Sequence, residues 1–457
     1  MRPSRLLLLS LLSCSSINCS ILNAYDDVIT TGNGGEAAGA GGSGTGGTPP
    51  AGGQGGTGAE GGQGGEPAPP LLTCEAFGTP ATLTDLEAEA NSRHFDPPMF
   101  AHQLNGENVV IVTRVGQELR GYLTNPETGV LVQTVTQPVN QLIASRTIGN
   151  KLAVLVQRPN IGGFSPIDLL VFDGDQGFHV DEFPISDGSL TPNSGYSRGV
   201  FTHIGPDFDD IALLLRYDVA GSRRVVYAHH TGGSAGEPDS LLFPDIFTGQ
   251  EDGSPRGVIR RDNGTVHVFL DGGATGTQRW TFQETDATPG NGVKLTETGQ
   301  VILIDALQKP DGTANLGFGY INDADLMLLA GNVSINDLNG FVAADLKEVF
   351  SPNSLNDFPS DGDLRWLQDS LLFFGSPDAK NRLVLLLADE DGHLKAQIDP
   401  LYTAEGFKYG DAAALTSDQP LADLGGTAYP VWTERIGTAP NDYDKLVIGA
   451  IGCEPGE

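Results

Sequence analysis

The sequence predicts an all-β fold: a single β-propeller of about seven blades, with six or eight also compatible, closed by its own N- and C-terminal strands. Three observations carry that prediction. From Cys74 onward short apolar runs recur, among them Val109-Val110-Ile111-Val112, Leu152-Ala153-Val154-Leu155-Val156, Ile211-Ala212-Leu213-Leu214-Leu215 and Leu383-Val384-Leu385-Leu386-Leu387. Runs of that length suit strands buried on both faces. Turn pairs separate them: Asn105-Gly106, Asp173-Gly174, Asn263-Gly264, Asp271-Gly272, Asn339-Gly340 and Asp391-Gly392, the residues that tight hairpins favour. The third observation is period. Units beginning near Pro97, Gln141, Arg198, Arg256, Asn315, Leu364 and Gly425 follow one another at roughly 40 to 60 residues, the length of a blade.

One blade cannot bury both of its faces, whereas a ring of stacked blades can. The strongest internal match sets Ser197-Arg198-Gly199-Val200-Phe201 against Pro255-Arg256-Gly257-Val258-Ile259, each followed by its buried strand. The last unit supplies Ala428 to Thr433 and Leu446 to Ile451 but lacks an outer strand. Residues Thr79 to Leu86 are expected to supply it and so close the ring. No convincing amphipathic helix is found; Thr84 to Ser92 is the best short candidate.

Three regions are expected: residues 1–23 as an export signal, 24–73 as a linker, and 74–457 as the propeller. The start Met1-Arg2-Pro3-Ser4-Arg5 followed by Leu6-Leu7-Leu8-Leu9-Ser10-Leu11-Leu12 has the charged and apolar parts of a secretory signal, too short for a membrane span. It ends in Leu11-Leu12-Ser13-Cys14. That tetrad resembles the lipobox of bacterial lipoproteins, although Leu12 is bulkier than the usual residue there. The resemblance implies that Cys14 is lipidated and becomes the mature N-terminus; Cys19, after Ser16-Ile17-Asn18, fits less well. Ser15 rather than Asp after the cysteine would, by the same resemblance, direct the protein to the outer membrane or cell surface. Residues from about Thr31 to Pro70 are almost all Gly, Ala, Thr, Ser, Pro and Gln. Such a composition cannot offset the entropy of folding, so a disordered tether is expected.

The formal net charge is −32. So acidic a surface repels phosphate backbones and excludes nucleic acid as a natural partner, while it attracts divalent cations and basic partners. After the N-terminus no apolar run is long enough to span a bilayer. Of the four cysteines, Cys74 and Cys453 bracket the propeller. In an oxidising compartment they make a natural disulfide.

Candidate chemistry is sparse. Gly426 to Arg435, with Trp432 in it, followed by Asp444-Lys445-Leu446-Val447-Ile448, resembles the last repeat of sialidase-like propellers. That resemblance implies a ring of blades and, in the family's enzymes, an arginine cluster for a sugar carboxylate, a tyrosine–glutamate nucleophile pair and an aspartate acid/base. The family's Asp-box (Ser-x-Asp-x-Gly-x-x-Trp) is absent from the sequence, so the activity does not carry over with the fold. Arg198, Arg256 and Arg365 each fall at the start of an expected innermost strand, where they would ring one channel mouth. Arginine forks there could hold a carboxylate or phosphate, or could pair with acids such as Asp209, Asp210 or Asp363. Calcium is the other candidate ligand, at Asp173-Gly174-Asp175-Gln176-Gly177 and Asp389-Glu390-Asp391-Gly392. Neither turn has the distal glutamate of a full calcium loop, and both also read as solvated hairpins. His229 and His230 point to opposite faces of a strand, so they do not share a metal. No other cofactor is indicated, and a monomer is expected.

Three functions follow in order. The first is a lipid-anchored surface protein whose non-catalytic propeller binds an anionic glycan or a protein. The second is a diverged glycan-active enzyme, a sialidase-like or other glycoside hydrolase or lyase. The third is a structural component of the outer surface.

Overall fold

The computed structural model describes residues 72–455 except for short connecting stretches, of which 187–195, 232–240, 351–358 and 417–426 are the longest. Residues 1–71, with Cys14, Cys19 and almost all of the expected tether, lie outside the described residues. No helix occurs among the described residues; of the Thr84 to Ser92 candidate, residues 84–88 are strand followed by turn, and residues 90 and 91 lie outside the described residues.

Two short strands lead the chain, β1 (Leu72–Ala76) and β2 (Ala81–Asp85). Antiparallel meanders follow. Blade 1 is β3 (Asp96–Leu104), β4 (Asn108–Val115), β5 (Glu118–Asn125) and β6 (Val130–Pro138); blade 2 is β7 (Gln141–Ile148), β8 (Lys151–Gln157), β9 (Ile167–Asp173) and β10 (His179–Ser186). In blade 3, β11 (Tyr196–His203), β12 (Asp210–Val219) and β13 (Ser222–Thr231) are edged by two short strands, β14 (Leu241–Leu242) and β15 (Phe247–Gly249). Blade 4 is β16 (Ser254–Arg260), β17 (Thr265–Asp271), β18 (Thr277–Gln283) and β19 (Val293–Lys294). Blade 5 comprises β20 (Gln300–Gln308), β21 (Thr313–Asn322), β22 (Asp325–Ser334) and β23 (Lys347–Phe350). Blade 6 comprises β24 (Pro359–Leu367), β25 (Ser370–Pro377), β26 (Arg382–Asp389) and β27 (Leu394–Thr403). Blade 7 has β28 (Lys408–Thr416), β29 (Thr427–Ile436) and β30 (Tyr443–Ile448), with β31 (Ile451–Pro455) added to β29.

The first strands touch in the cyclic order β3, β7, β11, β16, β20, β24, β28 and back to β3. This is a seven-bladed propeller whose first strands line the bore. Alternation of side chains along each strand turns one apolar run into two cores. In β12, Ile211, Leu213 and Leu215 join the cluster shared with blade 2, while Ala212 and Leu214 join the one shared with blade 4. Seven such clusters separate the seven blades. Packing between blades is close enough to require glycine: a Cβ on Gly121 would lie 2.8 Å from a ring carbon of Phe172.

The ring closes as expected, with β2 pairing β30 as the outer strand of blade 7. Two blade origins differ from the sequence reading. Blade 5 begins at Gln300 rather than near Asn315, and blade 7 at Lys408 rather than near Gly425. In blade 5 the second strand is interrupted by Gly317 and Gly319, so the conspicuous apolar run, Leu326 to Leu329, belongs to the third strand. In blade 7 the first strand, with Gly410, Asp411 and three alanines, carries no long apolar run at all.

Asp444 fixes the closure. Its side chain is 1% exposed. It accepts the Phe95 N–H at 3.1 Å and Arg435 Nε at 3.0 Å, and lies 3.3 Å from His94 Nδ1. Its backbone N–H donates to Arg93 O and its carbonyl accepts the Leu86 N–H. One residue of the last blade thus holds the segment that leads from β2 into blade 1. Asp444→Ala would strand the Phe95 N–H and uncover one side of Arg435. A loss of about 3 kcal/mol is expected, read as a lower denaturant midpoint at unchanged slope.

Candidate site at the bore

Most of the bore strands carry a one-residue register shift near their beginning. The unpaired residue is Ile143 in β7, Ser197 in β11, Arg256 in β16, Ile302 in β20 and Ser360 in β24. Counting from that bulge, the third residue onward is Arg146, Val200, Ile259, Asp305 and Asp363. Val200 and Ile259 pack toward the following blade, and Arg146 and Asp305 occupy the same position in the repeat.

Arg146 therefore leaves β7 toward blade 3, where its Nε donates to Phe201 O at 2.9 Å. The guanidinium continues across the bore, past β11 and β16, to blade 5. There Nη2 lies 2.9 Å from Asp305 Oδ1 and 3.4 Å from Ala306 O. The other carboxylate oxygen of Asp305 accepts the Trp366 N–H of blade 6 at 2.7 Å. Side-chain exposure is 17% for the arginine and 7% for the aspartate. Four blades meet in one charge pair, which occupies the bore at this level.

His203, at the end of β11, lies edge-on to Phe208 with ring centroids 6.2 Å apart. Its Nδ1 is buried with no hydrogen-bond partner among the described residues. Burial and the positive charge of Arg146 hold its pKa down to about 4. A second histidine behaves alike. His267 is buried between blades 4 and 5, with Nδ1 3.0 Å from Thr281 Oγ1. Burial, then the charges of Arg279 and Arg261, lower it to about 4.

Between blades 3 and 4 lies the densest polar cluster. Arg260 grips Glu284 with Nε on Oε1 at 2.8 Å and Nη2 on Oε2 at 3.0 Å. The Tyr227 hydroxyl donates to the same Oε1 at 2.7 Å. His229 is wedged between Glu284 (3.2 Å) and Asp210 (2.7 Å). Burial alone would raise Glu284, but the bonds from Arg260 and Tyr227, then the charges of His229 and Arg260, take it below the usual carboxylate range. Tyr227 has no exposed surface, and burial followed by the bond to Glu284 pushes its hydroxyl well up. Among the described carboxylates, Glu434 is the one that rises: burial raises its pKa against the Trp432 indole bond at 3.0 Å and the charge of Lys445.

Arg198 and Arg256 lie near the beginnings of the neighbouring strands β11 and β16, at the mouth where the bore strands start. They are not equivalent: Arg256 is the bulged residue of its strand, whereas Arg198 follows the bulge and pairs with Arg216. Arg365 is the expectation that fails on position. It lies near the end of β24, opposite Leu372, toward the other mouth. The apolar run Leu371 to Phe374 belongs to the second strand, so the inner strand begins well before Arg365. The side chains of Arg198 and Arg365 lie outside the described residues.

Of the two acidic turns, residues 174–177 lie outside the described residues. In the other, two of the three carboxylates are engaged. Asp389 accepts the N–H groups of Asp391 and His393 and lies 2.9 Å from Lys395 Nζ. Glu390 binds Lys309 Nζ at 2.7 Å. No grouping suited to a metal ion occurs among the described residues. Cys74 and Cys453 are Cα partners in the β1–β31 ladder; their side chains lie outside the described residues.

The sequence reading missed Arg146 and Asp305. Both follow apolar inner-strand residues, Ile143-Ala144 and Ile302-Leu303-Ile304, and a charge placed in such a strand is itself a signal, because it needs a buried partner.

No protein-family model and no curated protein matches the sequence. Solved structures are similar to it at low identity. The chain is similar to a prolyl endopeptidase (14% identity, TM-score 0.39), covering 81% of this chain but spanning only 51% of that one. It is also similar to the SapL1 lectin in complex with α-methyl fucoside (8% identity, TM-score 0.40), over 68% of this chain and 97% of that one. A third is the Penicillium chrysogenum α-L-arabinanase complexed with arabinobiose (12% identity, TM-score 0.42; 68% and 92% covered).

The two histidines make stability depend on pH. Folded, each titrates near about 4 rather than the ordinary 6.5, so the unfolded chain binds the extra protons first. Their contribution is intact above about 6.5 and is lost as pH falls toward about 4, at up to roughly 1.4 kcal/mol per pH unit for each. Urea titrations across that window should show a shallower slope for His203→Gln and for His267→Gln than for the wild type.

Proposed function

We propose that this chain is a lipid-anchored protein of the bacterial outer membrane or cell surface whose propeller binds a ligand or partner without transforming it. The observation that carries the non-catalytic reading is the Tyr227–Glu284 pair. A tyrosine nucleophile must reach substrate and be easily deprotonated. Tyr227 is sealed between blades with its hydroxyl pushed up, and Arg260 holds both oxygens of its glutamate. The cluster joins blades 3 and 4; its groups are committed to one another.

The ligand site is proposed at the mouth where the bore strands begin, with Arg198 and Arg256 as anion contacts; Arg365, toward the other mouth, would serve a separate contact. The anchor is proposed at Cys14, supported by Leu11-Leu12-Ser13-Cys14 and the glycine-rich segment after it. A Cys74–Cys453 disulfide is proposed with it. Directly opposed residues of an antiparallel pair have Cα atoms about 4.5–5.5 Å apart, inside the disulfide range.

A thermal-shift panel of calcium, sialic and uronic acids, phosphates and cell-wall glycans tests the binding reading. A ligand of the native state raises the melting temperature by mass action. The expected result is a shift with an anionic sugar, abolished in Arg256→Ala, and no product from that sugar on prolonged incubation. Turnover of any glycan would overturn the non-catalytic reading. The raised carboxyl of Glu434 favours that alternative, a glycan-active enzyme, and Glu434→Gln would then abolish the turnover. Cys14→Ser should move the protein from the membrane fraction to the soluble one.

A further inference from the structure

The seven outermost edges are not alike. An outer strand leaves a row of N–H and C=O groups without partners, and stable proteins guard such rows with short strands, charges, prolines or bulges. Blade 2 ends in β10, which carries Asp181, Glu182, Pro184 and a register shift. Blades 3 and 4 end in strands of only two or three residues. Blade 5 ends in four residues that include Lys347 and Glu348. Blade 6 ends in β27, with Lys395, Asp399, Pro400 and two register shifts. Blade 7 ends in five-residue β2, with Asp85 and a shift.

β6 has none of these guards along most of its length. It is nine residues long, Val-Leu-Val-Gln-Thr-Val-Thr-Gln-Pro, without a single charge and with proline only at its last position. Its one register shift falls near its beginning, and Gln133 to Pro138 run straight against β5. It pairs with β5 alone among the described residues. Val130 and Val132 are each 57% exposed, and Thr134 and Thr136, beyond the bulge at Val132, are exposed as well. In a chain with net charge −32, this strip is uncharged and rich in β-branched residues, which favour strand pairing.

We propose that β6 is a docking edge that takes an extended, β-branched segment of another protein as an added antiparallel strand, with lysine or arginine at the segment's ends. The charge at the ends of the strip selects that occupant. Exposed Glu127 precedes the strand, and Glu118, 56% exposed, lies opposite its last residue; Arg120 sits 3.6 Å from Glu118 and 2.8 Å from Glu89, so two carboxylates share one arginine and that end stays net negative. A second copy would pair antiparallel, setting the Glu127 end of one β6 against the Glu118 end of the other, and like charges there oppose it. Basic ends convert the same geometry into attraction. Main-chain bonds would supply affinity and the alternate Val and Thr side chains the register. This inference rests on the reading of the propeller as an interaction body, and supplies the chemistry of a partner to the expectation of a monomer.

The test uses the full chain and two fluorescent peptides with one core, Thr-Val-Thr-Val-Thr-Val, flanked by Lys-Lys or by Glu-Glu. The expected result is saturable anisotropy for the basic-ended peptide, about tenfold tighter than for the acidic-ended one at low salt. Hydrogen exchange should slow in residues 130–138, and Val132→Lys/Thr134→Lys, two exposed positions, should abolish binding without shifting the melting temperature. Equal binding by wild type and variant would overturn the inference, as would no saturable binding. Self-association lost in the variant would also overturn it, by naming a second copy as occupant. Each of these three failures leaves the proposed sugar site intact when the thermal shift and its loss in Arg256→Ala persist in the β6 variant.

Discussion

The Arg146–Asp305 pair is the constraint on which the centre of this molecule depends. Among the described residues, the main contacts of each innermost strand in the ring are with its two neighbours, and the apolar clusters join adjacent blades. Arg146 joins opposite sides, reaching from blade 2 through the carbonyl of Phe201 to the carboxylate of Asp305, which in turn holds the Trp366 N–H. A buried charge without a partner costs several kcal/mol, so each member is obliged to find the other. The pair lies across the bore at this level, and the proposed anion site and docking edge are placed away from it, at a mouth and on a blade edge.

Outside the bore, stability is distributed. Seven apolar clusters lie between blades rather than within them, so each second strand is buried on both sides. Such an arrangement has no end until it closes, and closure requires the N-terminus to return. Here β2 completes blade 7 and the following segment is tied to buried Asp444. Glu284, Arg260 and Tyr227 lie at the junction of blades 3 and 4 and are bonded to one another. They join one blade to the next.

Much of this was legible in the sequence. Apolar runs with hairpin pairs between them gave the fold class, the unpaired last blade gave the closure, and Asn263-Gly264 and Asp391-Gly392 are turns with glycine φ of 77° and 78°. The bore was not legible, and the reason is a single residue. Ser197 to Phe201 and Pro255 to Ile259 match by eye, yet the bulge falls on Ser197 in one and on Arg256 in the other. A one-residue slip reverses every side chain after it. Val200 faces the next blade while Val258, its apparent counterpart, faces the previous one, in the cluster they share. Alignment by motif therefore grouped arginines that the backbone does not place alike. Alignment by bulge would have brought Arg146 and Asp305 to one position in the repeat.

A double-mutant cycle on Arg146→Ala and Asp305→Ala, read by urea unfolding, tests the central claim most directly. If the pair spans and closes the bore, each single substitution leaves the other charge buried, and the double loses less than the sum of the two. The coupling should be on the order of 1.5–3 kcal/mol. Additivity to within about 0.5 kcal/mol would contradict the account: the two charges would be held independently, and opposite sides of the ring would not be joined through them.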